Sequence, residues 1–341
     1  MREVLVIGGT GAMGSRVVAA LLAATGDTVR VLTRDPSSRA AEALLATGRV
    51  RLLQGDVGDD TSVRSAMESA ERVFCNTDFF SSGSVQAEHD QGLRLLEAAR
   101  EAGVDRFIWS SLDHAVSLTG GRLPVPHYDS KASVAAAIGL RRADEMMRKD
   151  SDGWYTNHVS VLTTAPYFEN FQAGLAPRPG TLPDGREGLV FAIPLGSGSY
   201  PLIALDDIAW FAVHAFENWQ AWGARDLAVA ADSLTGDQIA ATFERVTGRA
   251  AAYVPVPLDA VRSGMGDLGH DFAAMFEFFQ THDVVGRERD LPALRALHPG
   301  LLSFEAWLRT TGWCGAEEVV QKSPPAAVPA VSRSGADALP S

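Results

Sequence analysis

The residues with the most chemical potential lie together in PVPHYDSKASV, Pro124 to Val134, where His127, Tyr128 and Lys131 share one short stretch. Lysine is scarce here: only Lys131, Lys149 and Lys322 occur beside 27 arginines, the 30 basic residues less these three. A compact ammonium at position 131 thus stands against the chain's habit of using a guanidinium for positive charge. Two functional roles suit it. Its N–H groups could hold a nucleotide ribose, or the amine could pass a proton as acid or base with its pKa lowered by burial. A solvated lysine on a helix is the plain alternative.

A tyrosine whose proton is loosened by a neighbouring ammonium shares a helix face with it, four residues away. Four before Lys131 is His127, and Tyr128 is three before. One residue of helix turns a side chain by about 100°, so Tyr128 is poorly aimed unless Asp129 or Ser130 caps the helix and frees it. His127 is a second proton-donor candidate, since free histidine titrates near about 6.5, although a structural histidine is the commoner case. Ser111, ending the strand in FIWSS, could orient a substrate oxygen or equally cap a backbone group.

These groups need elements to position them, and the first thirty-five residues supply the start. A strand over Val4 to Ile7 precedes a glycine turn, a helix with apolar face Val17, Val18, Leu21 and Leu22, and a second strand over Val29 to Thr33. Gly8, Gly11 and Gly14 have the spacing at which a chain turns tightly and lets a pyrophosphate approach a helix N-terminus. Strand two ends at Arg34, with Ser37 and Ser38 following, which suits the extra phosphate of NADP(H); the adjacent Asp35 leaves NAD(H) possible. VRLLQGDVGD, ERVFCNTDFF and VDRFIWSSLDH continue as strands three to five, with Asp56 and Val57 flanking the adenine and Asn76 and Thr77 at a strand's carboxyl end. The predicted fold is therefore α/β, a Rossmann-type doubly wound parallel sheet.

GGTGAMG, TRDPSS, GDVGD, WSSLDHA, PHYDSKASV and PYFENF follow one another in the order and spacing of the NmrA-like (HSCARG-like) branch of the atypical short-chain dehydrogenase/reductases. LDDIAWFAVHAF, MFEFFQTHDV and LSFEAWLRTTGW are similar to that branch too, so the resemblance covers about residues 1 to 313. It implies a smaller C-terminal α+β domain closing over the nicotinamide. Cofactor contacts are then expected at Gly8, Gly9, Thr10, Gly11, Ala12 and Met13, from Arg34 through Ser38, at Asp56 and Val57, and at Asn76, Thr77 and Asp78. Lys131 and the loop Tyr167, Phe168, Glu169 and Asn170 would enclose the nicotinamide end. Asp90 departs from the pattern, standing where some relatives carry a basic residue. The resemblance also implies that Lys131 is the acid or base if the chain acts as the isoflavone-reductase-like enzymes do.

The division expected is residues 1–165 as the NAD(P)-binding domain, with a segment near 200–235 returning to it, 166–313 as the smaller substrate or partner domain, and 314–341 as a disordered Pro/Ala/Ser-rich tail. A net charge of −12 argues against direct nucleic-acid binding, because that affinity comes from neutralising phosphates. Cys75 and Cys314 show no metal-ligand spacing, so no metal is expected, and a reducing cytoplasm fits them. No apolar run is long enough to span a membrane. Two functions survive: an NADP(H) sensor acting through a regulatory protein partner, slightly favoured, and an NADPH-dependent reductase of a small apolar or aromatic carbonyl, quinone or imine. The aromatic run Phe272, Met275, Phe276, Phe278 and Phe279 is read as core or as the wall of an apolar pocket. The oligomeric state is left open.

Overall fold

The computed structural model describes residues 2–315; the predicted tail lies, from residue 316 on, outside them. Six strands alternate with helices from the start of the chain: β1 (Glu3–Ile7), β2 (Thr28–Thr33), β3 (Val50–Gln54), β4 (Arg72–Cys75), β5 (Arg106–Ser111) and β6 (Val159–Thr163). After β7 (Arg178–Thr181), β8 (Glu187–Ile193) and β9 (Ser199–Leu202) comes the two-residue β10 (Leu227–Ala228), which pairs with β6. The main sheet has seven strands, all parallel, in the order β10-β6-β5-β4-β1-β2-β3. Two small sheets lie in the later half. In one, β9 pairs antiparallel with β11 (Asp232–Thr235); in the other, β8 takes β7 antiparallel on one side and β12 (Ala251–Pro255) parallel on the other.

Alternation along the strands decides how the sheet is covered. Val4 and Val6 of β1, with Phe74 of β4 and Ile108 of β5, belong to one core; Leu5, Ile7, Val73, Cys75, Phe107 and Trp109 belong to the other. Each strand is apolar on both faces because helices cover both, as a parallel sheet requires. On the first face the helix Ala12–Ala24 packs against Leu205–Glu217; on the second, Val85–Glu101 packs against Pro126–Arg148. The close approach of this second pair depends on Gly92, where an added Cβ would lie 2.5 Å from Val134 and 2.9 Å from Trp109.

The helix carrying Lys131 begins at Pro126, proline at the first helical position being pre-set for a helix start. His127 and Tyr128 are therefore both inside the helix. Asp129 does not cap its own turn: its carboxylate accepts from Val125 N at 2.7 Å and Val116 N at 3.0 Å, tying the preceding loop to the helix. The charged continuation to Arg148 is anchored rather than free, since Arg142 binds Asp226 and the Val159 carbonyl where β6 begins. Thr235 opens the helix Gly236–Thr247 with a capping box closed by Gln238.

Candidate functional site

A cleft of about 630 Å³ runs along the carboxyl ends of the main strands and on beneath the C-terminal helices. Its wall contains most of the residues singled out in the sequence: Gly8, Thr10, Gly11, Ala12 and Met13; Arg34 and Ser38; Asp56 and Val57; Asn76, Thr77 and Asp78; His127, Tyr128 and Lys131; Tyr167, Glu169 and Asn170. Gly9, Gly14, Ser37, Phe168 and Ser111 are not among the lining residues. Gly9 and Gly14 serve the turn by being small. Phe168 is fully buried against Phe304 and Trp307, and the Ser111 hydroxyl is spent on the Leu112 carbonyl at 3.2 Å.

The glycine turn is shaped for close approach. Gly8 has φ +78° and a Cβ there would stand 2.3 Å from the Asn76 carbonyl oxygen; one at Gly14 would stand 2.1 Å from that of Gly8. The helix that follows starts at Ala12 with no side-chain cap and no acidic residue in its first turn, so its leading N–H groups face the cleft without an internal anion. At the end of β2, exposed Arg34 reaches across to donate to the Ser81 hydroxyl at 3.4 Å, linking the strand end to the short helix Phe79–Ser82. Asp35 turns back on its own loop, its carboxylate accepting from Ser37 N at 2.9 Å and Ser37 Oγ at 2.6 Å.

Lys131 is 8% exposed and its ammonium is held by protein on all sides. Nζ donates to the Thr77 carbonyl at 2.6 Å, to Thr77 Oγ1 at 3.0 Å and to Glu88 Oε1 at 2.9 Å. Glu88 is completely buried and is compensated on every side: Thr77 Oγ1 donates to the same oxygen at 2.7 Å, and Ser130 Oγ donates to the other. A buried carboxylate needs such pairing. Gly92, one helical turn after Glu88, explains how the two helices come close enough to provide it.

Tyr128 is 2% exposed and packs edge-on to Phe278 and Phe279, and burial pushes its hydroxyl pKa well above the ordinary tyrosine value. His127, four residues before Lys131, lies on the same helix face. Its backbone N donates to Asp271 Oδ1 at 3.1 Å and its Nδ1 stands 2.6 Å from Asp271 Oδ2, out of line with the ring N–H direction. Phe80, Phe79 and Phe272 surround the ring at centroid distances of 5.5, 6.1 and 5.8 Å, and Phe80 stacks on Phe272 at 5.7 Å. Met265, Met275 and Phe276 extend this apolar wall, whereas Phe278 and Phe279 belong to the core. Glu169, beneath the cleft, accepts from Leu205 N and Trp307 Nε1, and burial raises its carboxyl pKa.

Glu88 and Asp271, the partners of Lys131 and His127, are side chains that spacing alone does not reveal. Each leaves one trace in the sequence. Glu88 falls on the buried stripe of its helix, four residues before Gly92 and seven before Leu95, where a charge demands a partner. Asp271 precedes the aromatic run of its helix directly.

The profile of the NmrA-like family matches residues 1–308. The chain belongs to the NmrA-like family. It is 28% identical over 293 residues to the NmrA-like family domain-containing oxidoreductase himF of Aspergillus japonicus, covering 83% of this chain and 85% of that one. It is 32% identical over 271 residues to the isoflavone reductase homolog IRL of Zea mays, covering 76% and 79%. Among solved structures, NmrA, a negative transcriptional regulator in complex with NAD, superposes with a TM-score of 0.70 at 21% identity, over 90% of this chain and 94% of that one. The NmrA-like architecture of the sheet agrees with that expected from the sequence motifs. No helix among the described residues is long and apolar enough to cross a membrane.

Proposed function

We propose that this NmrA-like protein is an NADPH-dependent reductase acting on a small apolar or aromatic carbonyl, quinone or imine. The observation that carries the proposal is the aromatic wall around His127: the cleft that begins at the glycine turn continues to Phe80, Phe272, Met275 and Phe276, leaving an apolar chamber beside Lys131. A site devoted to sensing the nucleotide has no need of that chamber. The sequence relatives support the same reading, since himF is named an oxidoreductase and IRL an isoflavone reductase homolog. The sensor acting through a protein partner, which the residues alone favour slightly, has only the likeness of fold to NmrA behind it.

The residues present fit a dinucleotide. The turn at Gly8 and Gly14 has no room for a Cβ, and the uncapped helix start at Ala12 suits a pyrophosphate. Arg34 and Ser38 suit a 2′-phosphate, which favours NADP(H) over NAD(H). Asp56 and Val57 would border the adenine; Asn76, Thr77, Asp78 and Lys131 the nicotinamide ribose; Tyr167, Glu169 and Asn170 the far side of the ring. A bound reduced nicotinamide supplies a hydride. The three hydrogen bonds on its ammonium tell against Lys131 as the proton carrier and make it a clamp that holds Thr77 and Glu88 in place beside the ribose, not a direct donor to it. The buried Tyr128, with its raised pKa, is unsuited to giving up a proton.

The test is NADPH oxidation by the purified protein against a panel of quinones, aromatic carbonyls and cyclic imines. Steady, acceptor-dependent oxidation is expected. Tight NADPH binding without oxidation by any acceptor would return the chain to the sensor reading.

A further inference from the structure

We propose that His127 is the proton donor of the reaction and that Asp271, from the helix Gly269–Thr281, is its positioning residue. This deepens the reductase reading and rests on it. Reduction of a C=O or C=N bond adds a hydride to the carbon and moves the π pair onto the heteroatom, which must then receive a proton. An ammonium has three N–H groups, and those of Lys131 are occupied by Thr77 O, Thr77 Oγ1 and Glu88 Oε1. Giving one up would leave Glu88, which has no exposure to water, as a buried charge without its counter-ion. Lys131 is thus committed to Thr77 and Glu88.

His127 has the opposite character. Nδ1 sits against the Asp271 carboxylate, 2.6 Å away, and the Asp271 grip on the His127 backbone N fixes the pair as a unit. The His127 and Asp271 side chains are 9% and 7% exposed, so water competes little for their contact. Nε2 has no protein partner among the described residues, and the ring borders the cleft inside the aromatic wall. A carboxylate against one ring nitrogen fixes the ring so that the other faces the cleft. In the step assigned here the Nε2–H bond breaks, an O–H or N–H bond forms on the substrate, the substrate is reduced at the nicotinamide's expense, and water restores the proton to His127. The flat aromatic surfaces of Phe80 and Phe272 suit a planar acceptor whose oxygen or nitrogen lies at Nε2.

A phenolate mimics the oxygen left after hydride addition and needs no turnover, so 4-nitrophenol, whose visible absorbance reports ionisation, is the probe. Wild type loaded with NADP should bind it as the phenolate. His127→Gln and Asp271→Asn should each weaken phenolate binding about tenfold or more while NADPH affinity is kept, and imidazole should restore the His127→Gln signal in part. The double variant Lys131→Met/Glu88→Gln removes the buried pair without leaving an orphan charge; it should lose NADPH affinity yet keep the phenolate signal in the unloaded protein. Absence of a phenolate signal in wild type, or its persistence in His127→Gln, would overturn the proposal. In any acceptor assay that succeeds, His127→Gln should lower kcat with little change in the KM for NADPH. If wild type binds phenolate through His127 but oxidises no NADPH, the reductase reading fails while the assignment of the oxygen site stands.

Discussion

Arg34 and Glu169 show how single side chains can be interrogated without disturbing the rest of the cleft. Arg34 is exposed at the strand end, where its guanidinium donates to the Ser81 hydroxyl. Arg34→Asp should lose about tenfold or more of the preference for NADPH over NADH, the size of one charge-assisted contact, as titrations with the two nucleotides would show. Glu169 carries its consequence in pH. Burial is the main cause of its raised pKa, outweighing the hydrogen bonds from Leu205 N and Trp307. Because the folded-state pKa lies above the unfolded value, ionising Glu169 costs stability; that cost is absent below the ordinary value of 4.5 and complete above the raised one. The melting temperature of Glu169→Gln, less that of wild type, should therefore become more positive as pH rises from about 4.5 to about 8. A difference that stays flat across that range would mean that the folded and unfolded states of Glu169 bind its proton equally.

Among elements, the pairing of Val85–Glu101 with Pro126–Arg148 does most to build the site. Gly92 brings the helices together, and that approach sets Glu88 against Lys131. Gly92→Ala must push on Val134 and Trp109, so it should cost about 1–3 kcal/mol in denaturant unfolding and also reduce NADPH affinity. Stability loss with unchanged affinity would separate the helix packing from the clamp. The same element shows what a sequence can and cannot disclose. The glycine turn, Arg34 and the helix of Lys131 are legible because each depends on neighbours a few residues away, through φ, helix period or strand ends. Phe272, Met275 and Phe276 are legible as an apolar face but not as a cleft wall, since only tertiary packing decides that they line the cleft whereas Phe278 and Phe279 turn inward. Glu88 and Asp271 lie 43 and 144 residues from the side chains they bind, beyond the reach of any local pattern.

At the scale of the molecule, one apolar cluster runs from Val4 to Trp313 and joins the first sheet to both small sheets. The buried side chain of Arg289 reinforces it, holding Asp113 through two hydrogen bonds of 2.7 and 3.0 Å. A core shared in this way should melt as one unit. Calorimetry should give a single transition with equal calorimetric and van't Hoff enthalpies, in place of the two that independent domains at 1–165 and 166–313 would give.

The two residues of β10 have a consequence for how the chain is made. Leu227 and Ala228 cover the edge of β6, yet they leave the ribosome only after all of β7, β8 and β9. During synthesis the first six strands therefore wait with the β6 edge bare as well as that of β3, open to pairing with a neighbouring nascent chain. Arg142 and Asp226 close that interval. Asp226, just before β10, accepts from both Arg142 and the Val161 N–H, so one carboxylate ties the late strand to that edge.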